Sequence, residues 1–237
     1  MTMPKQQHLP LQALAIDLDG TLVDTMGDFV AVLNLCLQDM QLNGLPEDVV
    51  RGLVGKGSEH LIRSVMALRV PAWHDLPQAE QQTHFQTAWQ LYVAHYTRLN
   101  GKHSRLYPGV REGLEMLARL GLPIACLTNK PNAFALPLLE HMGIAHFFEV
   151  VHGGDSFAHK KPHPLPLLKT AEALGVGPAH MLMVGDSSND AQAARAAGCP
   201  VALVSYGYNH GEDVRDCPHD WLIHSLEALP GIVSVAP

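Results

Sequence analysis

The segment Leu14 to Asp24, LAIDLDGTLVD, constrains this chain more than any other. Its apolar run, Leu14 to Ile16, reads as a buried strand that Gly20 ends in a turn. The run delivers Asp17 and Asp19 to the carboxyl end of that strand. Residues two apart on a regular strand share a face, so both carboxylates could meet one cation. Buried carboxylates are costly without a positive partner. In an open α/β sheet the carboxyl ends of the strands are also where ligands bind. The bland alternative is a surface turn rich in Asp and Gly, and the rest of the chain decides between the two.

From Tyr107-Pro108-Gly109 onward the pattern alternates helix, glycine and strand. Helices are predicted over 110–120, 132–142, 164–174 and 189–197, stopped by Gly121, Gly143, Gly175 and Gly198. Apolar strands are predicted over 123–127, 148–151, 181–184 and 201–204. Such repeated units imply a parallel sheet covered on both faces. Between the first strand and this series the pattern is helical. Met26, Phe29, Val30, Leu33, Leu37 and Met40 recur at helical spacing in a helix expected to end near Asn43-Gly44. A short helix opens at Pro46, Ser58 is placed to cap a helix over 59–68, and 78–99 is a long helical stretch. The fold expected is α/β: a three-layer αβα core with a parallel sheet, made of residues 1–24 and 103–237. Residues 25–102 would form an inserted all-helical cap. Pro4 to Pro10 and Pro230 to Pro237 read as loose ends.

Composition narrows the function classes. A net charge of -7 argues against binding nucleic acid through phosphate contacts. No apolar run approaches membrane-spanning length, and the start carries no signal-peptide core. Cys36, Cys126, Cys199 and Cys217 show no metal or redox spacing and read as packed thiols in a reducing compartment. A cytoplasmic protein, monomer or homodimer, is the expectation. Among fifteen histidines, His159 and His163 have ligand-like spacing, but no zinc pattern surrounds them.

The strand ends carry the chemistry. They offer Asp17 and Asp19, then Thr128 and Asn129, then Lys160-Lys161-Pro162 in the following loop, then Asp186 with Ser187 and Asp190. Ends of one parallel sheet converge on one crevice, so these groups can meet. Asp17, Asp19 (through carboxylate or backbone carbonyl) and Asp186 are hard oxygen ligands of the kind Mg²⁺ prefers. Phosphoryl transfer is catalysed mainly by positioning and charge neutralisation. A cation on one side and Lys161 on the other could supply it, with Thr128 and the amides near Gly20 donating hydrogen bonds. A carboxylate can attack phosphorus, and a carboxyl two residues on can protonate the leaving alkoxide. Rival readings stand beside several residues. Asp190 could be a first-turn helix acid, Lys160 could replace Lys161, Asn129 could be a turn residue, Lys56 a solvated loop tip, and Tyr206 and Tyr208 packing.

LAIDLDGTLVDT, LTNK, KKPHP and VGDSSND resemble the four ordered motifs of the haloacid dehalogenase superfamily of phosphatases. The resemblance implies a Rossmann-type core, Mg²⁺ as cofactor and a small phosphorylated metabolite as substrate. It maps the nucleophile to Asp17, the acid/base to Asp19, the motif hydroxyl to Thr128 and the lysine to Lys161. It maps the metal ligands to Asp17, Asp19 and Asp186, with Asp190 supporting. Gly20, Thr21, Thr128, Asn129 and Lys161 would touch the substrate. A narrower resemblance rests on LVGKG (53–57) and SYGYNHGE (205–212), which look like the phosphoglycolate phosphatases. It implies hydrolysis of 2-phosphoglycolate, with Lys56 or its loop amides near the substrate carboxylate. A broader phosphatase of sugar phosphates or pyrophosphate, a β-phosphoglucomutase, and a non-catalytic binder on the same fold are the alternatives.

Overall fold

The structure, a computed structural model, describes residues 11–233. In chain order the elements begin with β1 (Ala13–Ile16), β2 (Val23–Asp24) and the helices α1 (Met26–Asp39), α2 (Glu47–Leu53), α3 (Ser58–Arg69) and α4 (Gln78–Leu99). Then come β3 (Arg105–Leu106), α5 (Val110–Arg119), β4 (Ile124–Leu127), α6 (Asn132–His141), β5 (Val150–His152) and α7 (Leu165–Ala173). The chain finishes with β6 (Met181–Gly185), α8 (Ser188–Ala197), β7 (Val201–Val204) and β8 (Trp221–Ile223).

Six strands form one parallel sheet in the order β5-β4-β1-β6-β7-β8. Both faces are covered, and the period-two alternation of strand side chains is visible in how each strand divides. Leu14 and Ile16 of β1 join Ile124, Val184 and Val204 in one apolar layer with Leu114 and Leu117 of α5 and Leu138 of α6. Ala13 and Ala15 join Met181, Met183, Val201 and Leu203 in the opposite layer with Leu167 of α7 and Ala191 and Ala194 of α8. The α/β sandwich expected from sequence is the fold observed. β1 lies at the centre, where the strand order reverses direction, so its carboxyl end faces the crevice at a topological switch point.

The helices between β2 and β3 bury their own apolar cluster, built on Phe29, Leu33, Leu37, Ile62, Val65, Phe85, Tyr92 and Tyr96. Phe134 of α6 and Tyr208, from the sheet-bearing part, belong to it as well. The buried Asp28 on α1 accepts the backbone amides of Gly101 and His103, each at 2.7 Å, and so ties down the segment that returns to β3.

Some local expectations are corrected. Helix α1 stops at Asp39, short of Gly44, because Gln41 adopts a left-handed backbone (φ 57°) that cannot continue it. Ser58 does not cap α3 but begins it; Gly57, at φ 88°, precedes it, and Ser58 lies in the core beside Tyr92. The ribbon β2–β3 and the strand β8 were not expected. Leu226–Gly231 is a 3-10 helix with Leu229 and Val233 buried, so Pro230 is no loose end. The expectations for 4–10 and 234–237 lie outside the described residues.

Candidate active site

Asp17 follows β1 directly, its amide donating to Val184 O at 2.9 Å and so continuing the pairing with β6. Its Oδ1 lies 3.0 Å from Lys161 Nζ, and the side chain is almost fully buried. Lys161 Nζ also donates to Leu127 O and to Asp190 Oδ1, both at 2.7 Å. The second oxygen of Asp190 accepts the amides of Asp186 (3.2 Å) and Ser187 (3.1 Å) and the Ser187 hydroxyl (2.8 Å), opening α8 with a reciprocal cap. Asp190 is therefore both a first-turn helix acid and the partner that aims Lys161. Asp186 accepts the Tyr208 amide at 2.6 Å.

Gly20 (φ 85°) passes so close that a Cβ there would sit 2.2 Å from Asp186 Oδ2. That contact, together with the left-handed backbone, reserves the position for glycine. Thr21 is fully buried behind the turn, and its carbonyl accepts the Tyr206 hydroxyl at 3.0 Å. Thr128 and Asn129 lie just past β4, both buried. Asn129 donates to Lys161 O at 2.8 Å and to Gly55 O at 3.1 Å.

One oxygen from each of Asp17, Asp186 and Asp190 lies within 4.8 Å of the others, the one group of this kind among the described residues. Burial pushes Asp17 up to about 7, Lys161 opposing and Asp190 and Asp19 adding to the rise. Burial also raises Asp186 well above the carboxylate range, with Asp190 and Asp17 adding to it. Burial would lower Lys161, but its pairs with Asp17 and Asp190 outweigh it and hold the ammonium above its ordinary range. Three buried acids thus face one lysine, which pairs directly with Asp17 and Asp190. An excess of buried negative charge on hard carboxylate oxygens is the donor set a divalent cation fits.

Asp19 lines the same pocket, but its carboxylate turns away from the Asp17–Asp186–Asp190 group. Lys130 holds it, Nζ lying 2.9 and 3.2 Å from the two oxygens. Lys130 closes the LTNK motif beside Thr128 and Asn129, and that position is the signal the sequence carries for it.

The helical insert roofs the pocket through Phe29, Val54, Gly55, Gly57, Ser58 and Leu61. The Val54 and Gly55 carbonyls are captured from below. His210 Nδ1 lies 2.8 Å from Val54 O, and Asn129 and Asn189 donate to Gly55 O at 3.1 and 3.2 Å. The enclosed space open to water is about 30 Å³, room for a water or two. Lys56 lies outside this pocket. It lines an adjoining open cleft with Lys160, His159 and His163, and the two imidazoles stack 4.2 Å apart. Tyr208 does more than pack: its hydroxyl donates to Asp24 Oδ1 (3.0 Å) and accepts the Thr25 amide (2.7 Å), joining the entry to the insert to the loop that holds Asp186.

Residues 14–204 match the family model for haloacid dehalogenase-like hydrolases. The chain is 42% identical over 218 residues to a phosphoglycolate phosphatase of Nitrosospira multiformis, covering 92% of this chain and 93% of that one. It is 37% identical to a phosphoglycolate phosphatase of Escherichia coli K12, covering 92% and 91%. A crystal structure described as a predicted phosphoglycolate phosphatase from Haemophilus somnus superposes with a TM-score of 0.88 at 32% identity, covering 94% of this chain and 97% of that one. No helix among the described residues is long and apolar enough to cross a membrane.

Proposed function

The chain belongs to the haloacid dehalogenase-like hydrolases, and from that premise we propose that it hydrolyses 2-phosphoglycolate to glycolate and phosphate through a phosphoryl group carried on Asp17. The observation that carries the reading is the pairing of Asp17 and Lys161 at the end of the central strand, with Asp17 and Asp19, two residues on, both lining one pocket. The names of the relatives support the choice of substrate.

In this reading an Asp17 carboxylate oxygen attacks phosphorus. The ester P–O bond breaks, and the leaving alkoxide of glycolate takes a proton from the Asp19 carboxyl. Asp19, now a carboxylate, removes a proton from water, which attacks phosphorus, releases phosphate and restores Asp17. Lys161 stays protonated beside Asp17 and faces the charge that develops on the phosphoryl oxygens. Thr128, which lines the pocket, would donate to the same oxygens, whereas the Gly20 and Thr21 amides are taken by the carbonyls of Val23 and Leu18. A divalent cation, Mg²⁺ in this reading, would be held by Asp17, Asp186 and the backbone carbonyl of Asp19, with Asp190 supporting, and would neutralise phosphoryl charge and keep Asp17 ionised. Residues 25–102 act as the cap over a core of 1–24 and 103–237. The buried, unpaired cysteines suit the reducing cytoplasm.

The test is phosphate release from 2-phosphoglycolate beside sugar phosphates, pyrophosphate and p-nitrophenyl phosphate, with and without Mg²⁺. A kcat/KM preference of about a hundredfold for phosphoglycolate, about 2.7 kcal/mol of transition-state energy, is expected. A flat profile leaves a broader phosphatase. A requirement for a bisphosphate activator indicates a mutase, and no Mg²⁺-dependent release from any ester overturns the reading.

A further inference from the structure

We propose that Lys130 is the residue that selects the substrate. Its ammonium binds a carboxylate one carbon from the phosphate ester, and it does so by exchanging Asp19 for that carboxylate. The inference rests on the phosphatase reading above and adds to it the group that recognises the non-reacting end of the substrate.

A substrate with two separate anionic groups, a phosphate ester and a carboxylate, needs two cationic spots. Lys161 serves the first and is fully engaged, its three N–H bonds directed at Asp17, Asp190 and Leu127 O. Lys130 is the one Lys or Arg lining the enclosed pocket among the described residues. Its side chain is only 2% exposed, so water contributes little to its solvation. Two of its contacts go to one carboxylate, that of Asp19, and the third to the Tyr96 hydroxyl at 2.6 Å. Clasped in this way, both Asp19 oxygens face the ammonium rather than a leaving group. A ligand that draws Nζ away from either oxygen frees it for proton transfer.

The exchange favours one chemistry. A buried ammonium that gives up a carboxylate must receive an equivalent anion, because leaving it unpaired is strongly unfavourable. A second carboxylate meets that condition, and the neutral hydroxyls of a sugar phosphate do not. The site also depends on closure. Lys130 comes from the loop after β4, yet its charge lies 4.7 Å from the ring centres of both Phe29 on α1 and Tyr96 on α4. Those rings, attractive to a cation and unable to neutralise it, form the far wall of the selecting site only when the insert sits down on the core. The sequence placed Lys56 or its loop amides near the carboxylate; the Lys56 side chain lines the open cleft, while Gly55 and Gly57 beside it line the pocket.

The experiment compares kcat/KM for 2-phosphoglycolate and ethyl phosphate, which differ by a carboxylate in place of a methyl group, in wild type, Lys130→Gln, Lys130→Arg and Lys56→Ala, with thermal melts as folding controls. Wild type should prefer phosphoglycolate, and Lys130→Gln should collapse that preference by at least about a hundredfold, chiefly by losing phosphoglycolate. Lys130→Arg should keep it within about tenfold of wild type. An equal loss on both esters in Lys130→Gln would mean that Lys130 only positions Asp19, and overturns the inference. So does a wild-type preference below about tenfold, or a collapse in Lys56→Ala with Lys130→Gln spared. If Lys130→Gln lacks a cooperative melt, Lys130→Arg decides, and loss of the preference there overturns it. Absence of phosphate release from either ester in wild type overturns the phosphatase reading itself, a different result from all of these.

Discussion

Replacing Asp190 by alanine separates its two possible roles by magnitude. Asp190 is completely buried; one oxygen accepts three hydrogen bonds at the start of α8 and the other faces Lys161 at 2.7 Å. Losing the cap costs about 1 kcal/mol. Breaking a buried ion pair from one side costs about 3–5 kcal/mol, toward the lower end here because Lys161 keeps Asp17 and Leu127 O. Relief of the repulsion that Asp190 exerts on Asp17 and Asp186 offsets part of this. The net is about 3 kcal/mol, a large share of the roughly 5–15 kcal/mol that holds a protein folded. At about 2–4 °C per kcal/mol for a chain of this size, the melting midpoint should fall by about 6–12 °C. An acid that only faced a helix dipole would contribute about 0.3–1 kcal/mol, a shift of at most about 4 °C. Calorimetry in metal-free buffer at pH 7, with urea titration to check that the slope is unchanged, reads the difference. Asp190→Asn keeps an acceptor for the cap and should recover about 1 kcal/mol of the loss. A midpoint within 4 °C of wild type in Asp190→Ala would refute the assignment of Asp190 as the partner of Lys161.

Asp17→Asn should reduce phosphate release by more than about 10³-fold while keeping a cooperative melt; a wild-type rate removes Asp17 as nucleophile. Gly20→Ala places a Cβ 2.2 Å from Asp186 Oδ2 at φ 85°, so a stability loss of about 2–4 kcal/mol and a fall in activity are expected, both read from melts and kcat. Mg²⁺ should raise the melting midpoint more at pH 8 than at pH 5, because carboxylates must ionise to bind it and burial holds Asp17 up to about 7; equal shifts at both pH values would contradict this. Burial lowers His210 from its ordinary 6.5, and its hydrogen bond to Val54 O only partly opposes the shift. The folded protein then binds fewer protons there than the unfolded chain. The stability His210 contributes is complete above the unfolded pKa and is lost as pH falls through the folded one. The gap in melting midpoint between wild type and His210→Gln should therefore narrow from pH 7.5 to pH 5, and a constant gap would show that the ring does not titrate in this way.

What could be read from sequence was set by local physics. The strands are runs of buried apolar residues, and the glycines at 121, 143, 175 and 198 do stop or follow their helices at positive φ, so alternation and layer order were legible. Gln41 stops α1 with the same backbone conformation, but glutamine does not advertise it. β8 escaped because Trp221 and Leu222 are only half buried at a sheet edge, and β2 and β3 because two residues carry no periodicity. The acidic group and Lys161 were legible because strand ends of one sheet converge. The partition among them was not: whether Asp19 or Asp190 completes the carboxylate group depends on where Lys130 and Lys161 point.

Lys130 shows why that part had to wait for the fold. Its role is defined by Asp19 from the first strand, Phe29 and Tyr96 from the insert, and its own place after β4, four segments that no local pattern links. The same holds for the closure of the roof, where Asn129 after β4, Asn189 in the first turn of α8 and His210 after β7 converge on the carbonyls of Val54 and Gly55. A backbone carbonyl is present at every residue, so the sequence cannot mark which ones are caught. In the proposed function these contacts bear on turnover. With the insert seated, the space open to water is about 30 Å³, so a phosphorylated metabolite would enter by parting the insert from the residues beneath it, at the expense of the hydrogen bonds to Val54 and Gly55. The residues that hold the roof would then bear on entry and release, and those beneath it on the chemistry. Asn129 belongs to both sets, since one side-chain amide binds Gly55 O above and Lys161 O below. In the proposed function, opening the roof would break the Asn129–Gly55 contact and leave the same amide on Lys161 O, so the side chain that latches the roof also supports the backbone of the lysine paired with Asp17.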